Sequence, residues 1–238
     1  MRVGEISFWY GDIGLPYRRA PLDGDRTADV AIIGAGYTGL WTAWYLKQAN
    51  PSLDVLVIEK EFAGFGASGR NGGWLTGGFA WTHRRYLETS SEHAVRAMVA
   101  AMNGTVDEVI RVAEAEGIDA DIHRTEELMV ATRPSQVGRM RDEVAHRRHW
   151  GEEGRVYEMG AADLADRSRI PGALGAMVVT NVARVQPAKL VRGLAAAVER
   201  LGVRIVEGTA VTGYEPGLVT TDRGMVQAPV ILRCTEGF

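Results

Sequence analysis

Asp29 to Lys60 reads DVAIIGAGYTGLWTAWYLKQANPSLDVLVIEK. Val30 to Ile33 is a short apolar run rich in β-branched residues, as a buried parallel strand requires. Gly34-Ala35-Gly36-Tyr37-Thr38-Gly39 follows and fits G-x-G-x-x-G. In that pattern Gly34 permits the tight turn, Gly36 lets a pyrophosphate approach the backbone, and Gly39 lets the helix lie close to the sheet. A helix over about Tyr37 to Gln48 directs its free N–H groups and positive dipole end toward the phosphates, and Asn50-Pro51 ends it. Val55 to Ile58 is the next strand. Glu59 closes it, where a carboxylate can accept the ribose hydroxyls of an adenosine. A strand before, a helix after and an acid at the expected distance make this a dinucleotide site rather than an ordinary βαβ glycine turn. The three glycines and Asp29 argue against a membrane span over Val30 to Leu46. An acid in place of a basic residue argues against a 2′-phosphate.

The rest of the chain is compatible with a soluble globular protein. Of its 238 residues, 46% are hydrophobic and 24% charged, and the net charge is −3. Lys and Arg are spread along the chain, so neither nucleic acid nor membrane is an expected partner. Cys234 is the single cysteine, which excludes an intrachain disulfide and suits a reducing compartment. Met1 to Tyr17 lacks a basic start followed by an apolar core, so the cytoplasm is the expected location. No metal is expected.

Outward from the central stretch, Met1 to Arg26 reads as an extended arm, with Phe8, Trp9, Tyr10 and Tyr17 packing on the main domain. Trp74 to Tyr86 holds Trp81 and His83, and His83 among arginines reads as a surface residue. Thr89-Ser90-Ser91-Glu92 fits a capping box with Thr89 as N-cap. A long amphipathic helix with a Met and Ala core stripe follows, to near Gly117. Two short strands fit Ala120 to His123 and Glu127 to Ala131. Pro134 opens a basic helix to about Trp150, read as a solvated face. A strand and helix fit Val156 to Arg167, and Ala173 to Thr180 is an apolar strand. Pro187 opens another helix. Val203 to Glu207 is a third parallel strand. Val211 to Tyr214 and Leu218 to Thr221 form a meander, and Val230 to Arg233 is the last strand.

Directly after Glu59 comes a second glycine-rich stretch, Gly64-Phe65-Gly66-Ala67-Ser68-Gly69-Arg70-Asn71-Gly72-Gly73. Such a segment cannot hold itself by side-chain packing and makes sense where backbone lies close to something else. Ser68, Arg70 and Asn71 add a hydroxyl, a permanent cation and an amide, which suit phosphate oxygens or the polar edge of a heterocycle.

GAGYTG followed by VIEKEFAGFGASGRNGG resembles the opening of the flavin oxidoreductases of the D-amino acid oxidase family. The aromatic arm SFWY and the run EKEFAGFGASGRNGGW are most similar to the gamma-glutamylputrescine oxidoreductase branch. The resemblance implies FAD as cofactor. It puts Gly34, Gly36, Tyr37, Thr38 and Gly39 at the pyrophosphate, Glu59 at the adenosine ribose and Lys60 beside the adenine. Gly66, Ala67, Ser68, Arg70, Asn71 and Gly72 would run along the pyrophosphate toward the flavin, with Arg70 and Asn71 on the catalytic side. Val211 would lie against the adenine, and Thr235 and Gly237 near the pyrophosphate. Arg184 and Gln186 are candidate pocket residues.

The implied fold class is α/β. It is a Rossmann-like FAD-binding domain, a parallel sheet with helices and a small β-meander, plus part of a mixed α+β substrate domain. The expected division is an arm over 1–26, the first part of the FAD domain over 27–88, a partial substrate or cap region over 89–183, and the second part of the FAD domain over 184–238. Family members are nearly twice as long, so the chain is expected to be a truncated N-terminal portion, inactive alone. The implied activity is oxidation of a C–N bond of a small-molecule amine or amino acid to an imine, with oxygen as acceptor. A gamma-glutamylputrescine-like amine is the favoured substrate. An NAD-dependent dehydrogenase and a noncatalytic nucleotide-binding fragment remain the alternatives. GASGRNGG and the late Thr235-Glu236-Gly237 element weigh against the first of these.

Overall fold

The computed structural model describes residues 6–79 and 82–237. Trp81, singled out above, lies outside them. In chain order the elements are α1 (Phe8–Ile13), β1 (Arg26–Thr27), β2 (Val30–Ile33), α2 (Tyr37–Ala49), β3 (Val55–Ile58), β4 (Trp74–Leu75), α3 (His83–Leu87), α4 (Glu92–Ala115), β5 (His123–Ala131), α5 (Pro134–His149), β6 (Val156–Gly160), α6 (Ala161–Arg167), β7 (Gly175–Arg184), α7 (Pro187–Arg200), β8 (Arg204–Val206), β9 (Val211–Glu215), β10 (Leu218–Thr221), β11 (Gly224–Gln227) and β12 (Val230–Arg233). They divide into two units. One comprises residues 6–73, 113–121 and 186–237, the other 74–112 and 122–185.

The first unit is built on a parallel sheet in the order β12-β2-β3-β8. Every residue of β2 and β3 is buried, because both faces are covered. Ala31, Ile33, Leu56, Ile58 and Val206 form one core with Val219 and Val226 of the meander. On the other face Ile32 meets α2 at Gly39. Lys47, near the end of α2, donates to the carbonyls of Pro51 (2.6 Å) and Leu53 (2.9 Å), a cation where the helix dipole favours one. Helix α7 starts at Pro187, with Gln186 as its cap, and buries Leu190, Val191, Leu194 and Val198 along one side.

The meander has one more strand than expected. β10 pairs antiparallel with β9 and β11, and β1 adds in parallel to β11. The arm is not wholly extended either. Ser7 caps a short helix, α1, by accepting from the Tyr10 N–H, and Gly14 ends it at φ 74°. The aromatic residues supply the reason. Tyr10 is buried with Phe62 and Ala188, and Ile6, Trp9, Ile13 and Phe65 pack around them.

In the second unit β7 pairs antiparallel with β5 along one edge and with β4 and β6 along the other. The first expected strand is not formed over Ala120 to Ile122; β5 instead runs from His123 through the second expected strand to Ala131, with a register shift between Thr125 and Glu127. The start of α4 also differs. Ser91, not Thr89, stands before its first residue, accepting from the N–H of Ala94 on Oγ (3.2 Å) and of Val95 on its carbonyl (3.0 Å). Three consecutive hydroxyl residues could each cap, and the helix starts after the last. Its buried stripe is Val95, Val99, Val106 and Ile110, while Ala94, Ala97, Met98 and Ala101 are exposed. The β-branched side chains carry most of the packing, and Ala113 is the buried member of the Met and Ala set.

His83 is a further correction. It is buried, stacked on Trp150 at 4.8 Å, with Nδ1 3.0 Å from His146 Nε2. Burial and the neighbouring His146 lower its pKa. The arginines beside it in sequence leave the opposite side of a one-and-a-half-turn helix free to face inward.

Candidate functional site

The glycine turn after β2 is closely approached by backbone at its first and last glycines. Gly34 has φ 105°, its N–H donates to the Ile58 carbonyl (2.8 Å), and a Cβ there would stand 2.6 Å from the Cys234 carbonyl oxygen. A Cβ on Gly39 would stand 2.1 Å from the Gly34 carbonyl oxygen. The first helical bond runs from the Leu40 N–H to the Gly36 carbonyl (3.0 Å), and Gly36 provides no side-chain cap. The positive end of α2 thus opens on backbone N–H groups, a geometry that suits an anion.

Glu59 sits at the end of β3. Its Oε2 accepts from the Ala35 N–H and its Oε1 from the Glu61 N–H, each at 2.9 Å. Burial raises its pKa, while those two N–H groups pull it down. Each carboxylate oxygen keeps a second lone pair, so the group retains acceptor capacity. Lys60 is exposed beside it.

The second glycine loop folds back onto the first turn. The Gly64 N–H donates to the Ala35 carbonyl (2.9 Å), and Ser68 Oγ accepts from the Tyr37 N–H (2.8 Å). A Cβ on Gly36 would stand 3.0 Å from Ser68 Oγ. Asn71 stiffens the loop, donating to the Ser68 carbonyl (3.0 Å) and accepting from the Gly73 N–H (2.9 Å). Arg70 turns back along its own loop. Its guanidinium lies 4.2 Å from the Phe65 ring centre, and Nε donates to the Phe65 carbonyl (2.5 Å). Gly66 and Gly72 have nothing within 4 Å of an added Cβ, and Ala67 is exposed.

The structure brings the turn, Glu59 and the second loop together at the top of one sheet. The segment after β12 joins them. The Cys234 N–H donates to the Ile33 carbonyl (2.8 Å), and Thr235 to Gly237 continue from there. Cys234 itself is half-buried, with its thiol pKa raised by burial, which is inconsistent with a nucleophile. Val211 begins β9 and packs on the core under the meander. Gln186 is committed elsewhere. Its Oε1 caps α7 at Lys189, and its Nε2 donates to the Trp9 carbonyl (3.3 Å). Arg184 is an exposed residue at the end of β7 in the other unit.

Two contributors escaped the sequence reading. Glu207 is fully buried and accepts from the Ala63 N–H (2.8 Å), the Arg19 N–H (2.7 Å) and Arg19 Nη1 (2.7 Å). An acid ending an apolar strand was the available signal. The other is the arm, whose aromatic run was visible but not its target. Among the described residues no cluster of three or more His, Cys, Asp or Glu is placed to hold a metal, and no helix is long and apolar enough to cross a membrane.

Residues 29–238 match the family described as FAD dependent oxidoreductase (DAO). The chain is 30% identical over 215 residues to gamma-glutamylputrescine oxidoreductase of Escherichia coli strain K12, covering 89% of this chain and 49% of that protein. Among solved structures it is similar to L-proline dehydrogenase from P. horikoshii, with TM-score 0.72 and 18% identity, covering 89% of this chain and 53% of that one. Glycine oxidase from Geobacillus kaustophilus aligns with TM-score 0.68 and 23% identity, covering 88% and 55%. These structural likenesses speak to the fold. The chain spans about half the length of the curated relatives it matches.

Proposed function

The chain belongs to the FAD dependent oxidoreductase family, and from that premise we propose that it forms the FAD-holding half of an enzyme that oxidises a C–N bond of an amine or amino acid. The observation that carries this reading is the joining of the two glycine loops through Ser68 and Tyr37 beside Glu59. The residues fit the cofactor. Backbone at Gly34, Gly36, Tyr37, Thr38 and Gly39 surrounds the positive end of α2, where this reading puts a pyrophosphate, with the Gly34 and Tyr37 N–H groups shaping the turn through Ile58 and Ser68. A side chain on Gly36 would crowd that approach against Ser68. Glu59 has lone pairs left for ribose hydroxyls, and exposed Lys60 flanks the adenine side. Gly66, Ala67, Ser68 and Gly72 offer unobstructed backbone and a hydroxyl along the pyrophosphate. Val211 contributes apolar surface to the adenine, and Thr235 and Gly237 follow the strand that covers Gly34.

Bound FAD supplies the two-electron acceptor for oxidation of the carbon next to nitrogen. The chain's own residues bind and orient it. Arg70 offers a permanent positive charge and Asn71 fixes the loop that carries it. For the substrate, the name of the E. coli relative supports a gamma-glutamylputrescine-like amine, with oxygen as the final acceptor. The test is the absorption spectrum of the purified chain after incubation with FAD and desalting. A retained, structured flavin band is expected. A flat spectrum from folded chain, or retention of NAD instead, overturns the reading.

A further inference from the structure

The aromatic arm is not needed to complete the sheet, yet it is bonded to the second glycine loop at three points. Ser7 Oγ donates to the Gly69 carbonyl (3.2 Å), Trp9 Nε1 to the Asn71 carbonyl (2.7 Å) and the Tyr10 hydroxyl to the Gly64 carbonyl (3.0 Å). The arm is itself anchored on α7, by Gln186 at the Trp9 carbonyl and by Arg192 at the Gly14 carbonyl (3.1 Å). Tyr10 is 3% exposed, so without its hydroxyl the Gly64 carbonyl would lose a buried donor. The loop is shaped around the same hydroxyl. A Cβ on Gly69 would stand 2.4 Å from it, and one on Gly64 3.0 Å.

Three donors from one short segment, each on a carbonyl of the loop, do more than cover a surface. They fix peptide orientations at Gly64, Gly69 and Asn71, and so fix which way the intervening N–H groups point. Within the loop Phe65 packs on the core, and the Gly69, Arg70 and Asn71 N–H groups bond back to the Gly66 and Ala67 carbonyls, but the loop's glycines bring no side chains of their own to hold the rest. We propose that Ser7, Trp9 and Tyr10 are positioning residues that hold the second glycine loop in the shape its ligand needs, so that the arm sets FAD affinity. The proposal rests on the reading of that loop as an FAD contact. Burial pushes the Tyr10 phenol up to about 12, so this donor keeps its proton at any ordinary pH.

The test compares the chain with Tyr10→Phe, Trp9→Phe and the double variant, each of which keeps an aromatic ring and removes one donor. Tyr17→Phe, at a fully exposed position of the same arm, is the control. FAD dissociation constants come from quenching of flavin fluorescence, and urea midpoints of the FAD-free chains from circular dichroism. Each single variant is expected to weaken FAD binding about fivefold, the size of one hydrogen bond. The double variant is expected to weaken it more than either single variant, and not by their simple product, because the two donors are neighbours holding one loop. The control should not change. These losses should persist in water, where every variant is folded; a purely structural brace would move the urea midpoint and leave affinity unchanged. Wild-type binding with all variants within twofold overturns the proposal alone. A folded wild-type chain that takes up no FAD overturns the cofactor reading first, and the proposal with it.

Discussion

The two glycine-rich loops of the first unit use the same residue for different purposes. In the turn Gly34 to Gly39, the first and last glycines are demanded by the protein's own backbone, since an added Cβ would stand 2.6 and 2.1 Å from carbonyl oxygens. In the loop Gly64 to Gly73, Gly64 is demanded by Val191 and Tyr10 and Gly69 by Tyr10 and the Gly64 carbonyl, whereas Gly66 and Gly72 face open space. The difference separates glycine as a requirement of folding from glycine as room left for a partner. Gly39→Ala should therefore cost about 4 kcal/mol or more, since neither backbone segment can yield. Gly66→Ala, at a φ any residue adopts, should leave stability within about 0.5 kcal/mol. Urea melts of the two variants decide it. Equal losses would break the comparison. A stable Gly66→Ala chain with weakened FAD uptake would sharpen it.

The stem of the second loop leans on the fully buried Glu207 as the first turn leans on Glu59. Glu207 accepts the Ala63 N–H and holds Arg19. Glu207→Ala leaves that N–H unbonded and Arg19 short of a partner, with an expected loss of about 3 kcal/mol. Ser68→Ala is milder. It removes the acceptor of the Tyr37 N–H and with it a bond between the loops. About 1 kcal/mol is expected, the size of a lost helix cap. A Ser68→Ala chain as weak as Glu207→Ala would mean that the loops fold as one element and not two.

Much of the first unit was legible because its signals are local. The run VAII, the spaced glycines, Pro187 and the strand VILR each carry their own geometry, and the elements stand within a residue or two of where the pattern puts them. What was not legible depends on partners distant in sequence. Nothing in SFWY says that a tyrosine will find a carbonyl 54 residues away, so the arm read as extended. Hydroxyls at Thr89, Ser90 and Ser91 offered three caps, and the packing of Val95 and Val99 chose among them. The early start of β5 at His123 and its register shift are likewise properties of its pairing with β7. At the candidate site, glycines and Glu59 were readable from spacing. That Gln186 is spent on a helix cap and on the Trp9 carbonyl was not.

The finest distinction between the loops concerns Glu59, the one carboxylate at the first turn that a ligand could share. Burial raises its pKa in the folded chain, against the pull of the Ala35 and Glu61 N–H groups. A raised folded pKa means that the stabilising contribution belongs to the protonated form. It is fully present below the unfolded pKa and lost as the pH rises through the folded one. Ribose hydroxyls, being donors, favour the opposite form, so FAD binding in this interval releases a proton. FAD affinity should accordingly rise as the pH climbs out of the acid range, while this group's share of FAD-free stability falls. Glu59→Gln keeps the shape, sets an amide against one backbone N–H at a cost of about 1 kcal/mol, and cannot titrate. Its FAD affinity should be lower at neutral pH and flat where the wild type slopes. Parallel slopes in the two proteins would remove Glu59 from the ribose and leave it as a carboxylate that serves only the turn.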